Sequence, residues 1–548
     1  MNQLNPGIIK YDQLLNDIET GKIKVPQFQR DFVWSKEASA KLLDSVIKRY
    51  PIGTFILWKT NETLRSIKNI GGIDLPSTPE GDYVQYVLDG QQRITSLYAG
   101  FKGCKIKFGD DEKEIDYSEI FIDLDADEDA EMVVAEIDDL RPQAFIKITE
   151  LLQGGLLNLA KKYDEVYHAR IDDYKSRFTA YTYQTITVSE APIDIATEIF
   201  TRVNIFGKSL SIFEIMVAKT FDIQKDFDLA EKYDQLIERL GEIEYDTISQ
   251  STVLQSVSVC MVKECTTKHI LKLLKKDFIE IWDKVMDAFE SAAEYFKTYY
   301  RIPVSQLLPY DALLVPFTYY FFNHPDRPLG QQQKAMQDFF WRTTINSRYS
   351  SGQESKIGQD IKRIENILSG ESVTYDEFVN ISPEAITNNG SFSAGRAYIK
   401  GLLCLLVYQQ PKSFADNALV VVNNNYLKQA NSRNYHHFFP RAYLIKSGVS
   451  DYWANHIANI TIVDDFLNKR KIRDRAPSNY IQEFKNQNPE IDGALKSHLI
   501  DDIHSYGITN NDYDKFFTMR IKKLSRELMK RIILTDFDKA KQDDGTSK

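Results

Sequence analysis

Cysteine is scarce in this sequence: Cys104, Cys260, Cys265 and Cys404 are the only four in 548 residues, and no two form a Cys-x-x-Cys pair. That rules out a cysteine-built zinc site and leaves no disulfide framework to expect. Cys260 and Cys265 lie five apart in the helical-looking "VSVCMVKECTTKHILKLLKK" and face different directions, so they read as small core residues. Long apolar runs are missing as well. The most apolar stretch, "YDALLVPFTYYFF" at 310–322, has 13 residues and contains Asp311, too short to span a bilayer. The start, "MNQLNPGIIKYDQLL", lacks the basic-then-apolar layout of a signal peptide, so the cytoplasm is the expected location.

Positive charge is not in excess either. Lys and Arg number 68 against 78 Asp and Glu, a net charge of −10, which argues against general coating of nucleic acid. The charge is uneven: residues 121–140, "FIDLDADEDAEMVVAEIDDL", hold nine acids and no base. The spacing Asp123, Asp125, Asp127 suggests a calcium loop, but Glu128 and Val134 stand where glycine and glutamate belong, so that reading fails. A strand leading into an acidic surface loop is the expectation.

What is present divides into three regions. Over residues 1–222, "GTFILW" (53–58), "YVQYVLD" (83–89), "EIFIDLD" (119–125) and "QTITVSE" (184–190) read as strands from their β-branched and aromatic content. Between them, "SKEASAKLLDSVIKRY" (35–50) predicts a helix capped by Ser35 and ended by Pro51. Residues 223–400 carry apolar residues every three to four positions and predict a helical linker or clamp. Residues 401–548 contain a local reversal of charge. In the window 431–480, Arg433, Arg441, Lys446, Lys469, Arg470, Lys471, Arg473 and Arg475 face only Asp451, Asp464, Asp465 and Asp474. A phosphate-facing surface needs such a reversal, and a solvated helical face would also produce it. No internal repeat or low-complexity tract occurs.

Two short stretches carry chemistry. "VLDGQQRITSLYAG" (87–100) reads as a buried strand that breaks at Asp89-Gly90 and resumes as a helix with Gln91, Gln92 and Arg93 on its first turn. The free N–H groups and the dipole of such a helix make an anion site, and Arg93 adds a planar fork of donors. Asp89 can cap the helix, or hold a magnesium-bound water or a ribose hydroxyl. Polar residues at helix starts are common, so a purely structural reading stands beside this one. "VPQFQRDFVWS" (25–35), "PIGTFILW" (51–58) and "EIFTRVNIFGKSLSIFEIMVA" (198–218) accompany the motif in order. The set resembles the DGQQR-motif amino-terminal domain of GmrSD-type, modification-dependent (type IV) restriction nucleases, which is similar to the ParB and sulfiredoxin fold. The resemblance covers nearly all of the first 220 residues. It implies binding and hydrolysis of a nucleoside triphosphate, with Asp89, Gly90, Gln91, Gln92 and Arg93 at the phosphates and Gln29, Arg30, Arg202, Asn204 and Lys208 approaching the same site. Arg30 and Arg202 could instead pair with carboxylates across the domain.

The second stretch is "NYHHFFPRAYL" (434–444), followed by "ANITIVDDFLNKRKIRDRAPSNYI" (458–481). Adjacent histidines on a strand point to opposite faces, so one cannot do the work of both. Strand "NITIV" leads through an Asp464-Asp465 cap to a helix bearing Asn468. Over residues 430–485 the pattern resembles the ββα-metal arrangement of HNH nucleases, which uses one general base and one divalent cation. The resemblance implies His437 as general base, Asn459 as the residue orienting it, and His436 and Asn468 as metal ligands, with Lys469, Arg470, Lys471 and Arg473 on DNA. Family members usually have an acidic residue at the His436 position and often a histidine at the Asn468 position. Magnesium or manganese is the expected cation, with zinc or nickel as alternatives. An isolated His-His pair would read as a buried hydrogen-bonded pair; its place in the basic window reverses that. His456 is expected to be a loop histidine bonded to backbone.

The expected fold class is therefore α+β multidomain. A ParB/sulfiredoxin-like α/β domain spans 1–222, the helical region 223–400, and an HNH-like nuclease domain with flanking helices 401–548. The expected function is a nucleotide-regulated, metal-dependent endonuclease or nickase of anti-phage defence acting on modified DNA. Competing readings are a DNA-binding regulatory NTPase with a degenerate nuclease domain, and a non-enzymatic assembly component. A second copy of the chain or a defence-system protein are the protein partners this allows, and no membrane is involved.

Overall fold

Three of the four strands expected from β-branched and aromatic content meet in one mixed sheet. The computed structural model describes residues 3–26, 32–61, 69–70, 73–74, 83–108, 113–137, 141–189, 191–203, 211–222, 224–423, 435–463 and 472–539. The chain divides into two units, residues 1–229 and 230–548. In the first, β1 (Gln3–Lys10), β2 (Ile23–Lys24), β3 (Phe55–Thr60), β4 (Val84–Asp89) and β5 (Thr182–Ser189) form a sheet of order β1-β5-β3-β4-β2. β5 runs parallel to β3, with Thr185 opposite Phe55, and β4 runs antiparallel to β3 across a bulge at Ile56/Leu57. The remaining expected strand is Phe121–Asp123, the centre of a separate three-stranded sheet. It does lead into an acidic loop, which Arg141 pins through Asp123 and Asp125.

Helices pack around the sheet because their apolar residues fall on one face. α1 (Tyr11–Glu19) buries Tyr11, Leu14, Leu15 and Ile18. α2 (Lys36–Ile47) starts at Ser35, whose hydroxyl accepts from Ala38 N, and buries Leu42, Leu43, Val46 and Ile47. Its start and stop follow the expected cap and proline. α3 (Gln91–Lys102) begins directly after β4, and α4 (Glu165–Thr179) is capped by Asp164. α5 (Ile193–Val203) and α6 (Ile212–Thr220) follow β5, the second opened by a capping box of Ser211 and Glu214.

Among its described residues the second unit is helical from residue 230 onward, apart from one hairpin and isolated bridges. Its centre is α7 (Gln250–Val262), α8 (Lys275–Thr298) and α9 (Leu314–Asn323). The apolar stretch at 310–322 is α9, a core helix. Val315, Phe317 and Tyr320 are fully buried there, each worth roughly 1.5–3 kcal/mol on the usual scale for a buried apolar side chain. No described helix is long and apolar enough to cross a membrane. α10 (Gly330–Ile345), α11 (Gln353–Ser369), α12 (Pro383–Asn389) and α13 (Ala397–Tyr408) complete the array.

Regions 223–400 and 401–548 lie together in this unit, joined by buried charge. Arg342 on α10 binds Asp338 through Nε (3.0 Å) and Asp538 through Nη2 (2.5 Å), with all three side chains almost wholly buried. Asp538 also accepts from Val379 N and Thr535 N. A last core of Phe414, Phe438, Phe439, Tyr480, Phe484 and Phe516 surrounds the hairpin. That hairpin is β6 (Tyr435–His437) and β7 (Ile460–Ile462), backed by α14 (Pro477–Gln487) and α15 (Tyr513–Met529).

Candidate functional site

At the β4–α3 junction Gly90 takes φ +96°, where L side chains are strained, and a Cβ there would come within 2.5 Å of Phe55 Cδ1. Asp89 precedes the N-cap of α3, which is Gly90 and has no side chain to cap the helix. The Asp89 carboxylate accepts from Arg93 Nη2 at 2.8 Å. Arg93 also donates from Nη1 to Ile52 O (2.8 Å) and from Nη2 to Thr54 O (3.3 Å), and its guanidinium lies over the Phe55 ring. A Cβ on Gly53, at φ +88°, would sit 2.2 Å from Arg93 Nη1, so the turn at 52–54 closes on the guanidinium only as glycine. Gln92 Oε1 accepts from Val33 N at 2.9 Å. The motif is thus a corner joint that ties α3 to the turn and to the segment before α2.

This changes the expected division of labour. Asp89, Gly90, Gln91, Gln92 and Arg93 are brought together, but the motif's one cation is spent on two carbonyls and a carboxylate. Arg202 pairs with Glu198 at 2.6 Å, one turn away on the exposed face of α5, and not with a carboxylate across the domain. Gln29, Arg30, Asn204 and Lys208 lie outside the described residues. Arg93 as placed is committed to protein groups, so a triphosphate at this corner would meet the first turn of α3 rather than that guanidinium. On its outer side the 52–54 turn lines a cleft of about 640 Å³ with Arg49, Arg177, Tyr181 and Gln184, which the sequence did not indicate. Arg177 is neutralised there by Glu128 and Asp173.

In the second unit β6 and β7 pair antiparallel, His436 opposite Thr461 and His437 opposite Ile460. The His436 ring is buried, with Nδ1 2.9 Å from the Thr461 hydroxyl, which itself donates to His436 O. With the hydroxyl's proton used on that carbonyl, Nδ1 is the donor of the pair. Nε2 keeps a lone pair with no partner among the described residues. Burial, with His437 and His498 adding to it, lowers the His436 pKa to about 3 and keeps the ring neutral. His437 is half-buried, and its Nε2 lies 2.9 Å from Asn455 Oδ1. Burial lowers its pKa also, against the opposing effect of the Asn455 bond.

Asn459 does not reach the histidine it was expected to orient. Its fully buried amide accepts from Phe439 N (2.8 Å) and donates to Phe439 O and Ala454 O (2.9 Å each). An amide matched to one residue's N–H and C=O pins the chain leaving β6 against the chain entering β7. Asn455 makes the contact with His437, and it does so from a short turn where no spacing rule marks it. His456 bonds backbone, accepting from Ala458 N and facing Thr387 O. Asn468, Lys469, Arg470 and Lys471 lie outside the described residues. Arg473 is exposed, and Arg441, Lys446 and Arg475 of the basic window pair with Asp451, Asp474 and Glu483.

Residues 11–221 match the family model of the GmrSD restriction endonuclease N-terminal domain. The match falls within the first unit and takes in the whole corner joint. Over nearly its full length the chain is also similar to a Methanocaldococcus jannaschii protein described as uncharacterized protein MJ0686. The two are 23% identical over 586 aligned residues, which cover 93% of this chain and 97% of the relative. The aligned span takes in both units of this chain.

Outside the GmrSD-type domain, one atom speaks to a metal. Among the described residues no group of three or more His, Cys, Asp or Glu is arranged to hold one. The orphaned Nε2 lone pair of His436 nevertheless has the chemistry of an imidazole ligand, neutral and buried. That is a single donor atom, and Asn468, the other ligand expected from the sequence, lies outside the described residues.

Proposed function

We propose that the chain is a metal-dependent DNA endonuclease of restriction-type phage defence, with the GmrSD-type domain recognising foreign, modified DNA and the β6–β7 hairpin cutting it. The observation that carries the reading is His437: a neutral, half-buried imidazole held by an amide at the end of a hairpin. A base at pH 7 must be unprotonated and positioned, and burial with a neutral partner secures both. His437 takes a proton from water as the water oxygen forms a bond to phosphorus, and the P–O bond to the leaving sugar oxygen breaks. That oxygen takes its proton from solvent. A divalent cation, with His436 Nε2 and Asn468 as the ligands we propose, would offset the charge that builds on the phosphate. Exposed Arg473 and the adjacent Lys469, Arg470 and Lys471 would meet the DNA backbone.

Plasmid nicking across magnesium, manganese, zinc and nickel, on modified and plain DNA, tests the reading. His437→Ala should lower the rate about 10²–10⁴-fold, the usual worth of a general base. High metal should partly rescue His436→Ala but not His437→Ala. No cleavage of any substrate, with DNA binding and triphosphate turnover retained, would favour a regulatory DNA-binding NTPase instead. Triphosphate binding by the first unit is a separate part of the proposal, carried by the resemblance of its motifs and not by Arg93. Titration of labelled triphosphates onto the whole chain tests that part.

A further inference from the structure

We propose that Asn455 is the positioning residue of His437 and selects Nδ1 as the atom that accepts the proton; the inference rests on the nuclease reading above. An asparagine amide presents one acceptor and one donor, so its orientation decides which nitrogen of a facing imidazole is protonated. Here the orientation is forced from the far side. Asn455 Nδ2 donates to Phe392 O at 3.2 Å, and a carbonyl can only accept. Oδ1 therefore faces His437 and accepts from Nε2–H. Nδ1 is left with the lone pair.

The partner's lack of charge matters as much as its direction. A carboxylate at this position would favour the imidazolium and hold the proton on the ring before reaction. An amide leaves the resting ring neutral, then gains as the ring becomes charged, because a bond from imidazolium is stronger than one from imidazole. The charged groups near His437 are Arg441, which disfavours the imidazolium, and Asp451, which favours it. They pair with each other at 2.5–2.6 Å and leave little net field.

Asn455 is itself held by a strap from before the hairpin region. Phe392 N donates to Asn455 O (2.9 Å), Ile457 N donates to Gly390 O (2.8 Å), and Ser391 bridges to His456. Gly390 admits no side chain: a Cβ would meet the His456 ring at 2.3 Å and Ile386 O at 2.6 Å. Residues 387–392 therefore belong to the site, although nothing in their composition marks them.

The test combines ¹⁵N NMR of histidine-labelled whole chain with cleavage kinetics. Wild-type His437 should show the Nε2–H tautomer. Asn455→Ala should convert it to a mixture and lower kcat about 10- to 100-fold, less than loss of the base itself, with DNA affinity unchanged. Asn455→Asp keeps an acceptor on Nε2–H, so the tautomer should survive in that variant. A purely structural role would not move the tautomer, and the aspartate variant carries the test if the alanine variant does not fold. An Nδ1–H tautomer in the wild type, or one unchanged in Asn455→Ala, would overturn the assignment. A tautomer that follows Asn455 in a protein that cuts no DNA would support the positioning and sink the nuclease reading instead.

Discussion

Arg93 shows how a residue suited to a ligand can be committed to the fold. Its guanidinium bonds Ile52 O, Thr54 O and Asp89, with about a fifth of the side chain exposed. Charge-assisted bonds of this kind are worth about 1.5–3 kcal/mol each when protected from water. Allowing for partial exposure, Arg93→Ala should destabilise the first unit by roughly 2–4 kcal/mol. Arg93→Lys should recover less than half of that, because an ammonium cannot span two carbonyls and a carboxylate in one plane. Urea unfolding followed on the first unit checks both. A midpoint unchanged in Arg93→Ala would refute the brace and return the guanidinium to a ligand. The cluster itself was legible in the sequence through the ordered stretches that accompany it, since polar residues at a helix start are common on their own. Its internal pairing was not, because a strand-turn-helix pattern does not say which turn approaches the arginine. Asn455 was illegible for a related reason: its partners, His437 and Phe392, are 18 and 63 residues away, and both are reached through packing.

At the scale of elements, the hairpin is too short to stand without support. A pair of three-residue strands is not stable alone. α15 supplies what is missing through Arg520, wholly buried and without a carboxylate partner among the described residues, which donates to Ala458 O, Ile460 O and His498 O. Burial depresses even this guanidinium to about 10. Arg520→Met should orphan three buried carbonyls at about 1–3 kcal/mol each, reduced by the cost of charge burial no longer incurred. A net loss of about 3 kcal/mol in the second unit is expected, with cleavage falling in step with the folded fraction. Cleavage lost from a fully folded Arg520→Met protein would instead place Arg520 in the reaction. The expected strands at 53–58 and 83–89 formed because large apolar residues fill both faces of a covered sheet, whereas 184–190 alternates Ile186 and Val188 with Thr185, Thr187 and Ser189. β1 escaped notice since "QLNPGIIK" contains proline and glycine, which a sheet tolerates only at its edge, where β1 lies.

Over the whole molecule, histidines are distributed unequally, and that has a consequence in acid. The first unit holds only His168, whereas the second buries His436, His456 and His498. Burial is the first cause in each case, lowering their pKa values to about 3, 4 and 4. In the unfolded chain each would titrate near 6.5. Below that pH the unfolded state binds protons that the folded state refuses, so stability is complete above about 6.5 and falls as pH drops toward 4. Each histidine then costs about 2 kcal/mol at pH 5. Asp338 acts in the opposite sense, since burial raises it to about 6 and its protonation stabilises the fold between pH 6 and 3.8. That returns roughly 1–2 kcal/mol, leaving a net loss of about 4–5 kcal/mol, comparable to the total stability of many domains. Asp538, held down to about 2, adds to the loss only below pH 3.8. The second unit should therefore unfold near pH 5 while the first remains folded, as two separate transitions in peptide-resolved hydrogen exchange. His498→Gln removes one titrating group while its amide can still donate to Lys412 O, the present partner of Nε2. It should flatten the acid slope by about 1.4 kcal/mol per pH unit. Simultaneous loss of protection in both units, or a slope indifferent to His498→Gln, would show that acid enters this fold by another route.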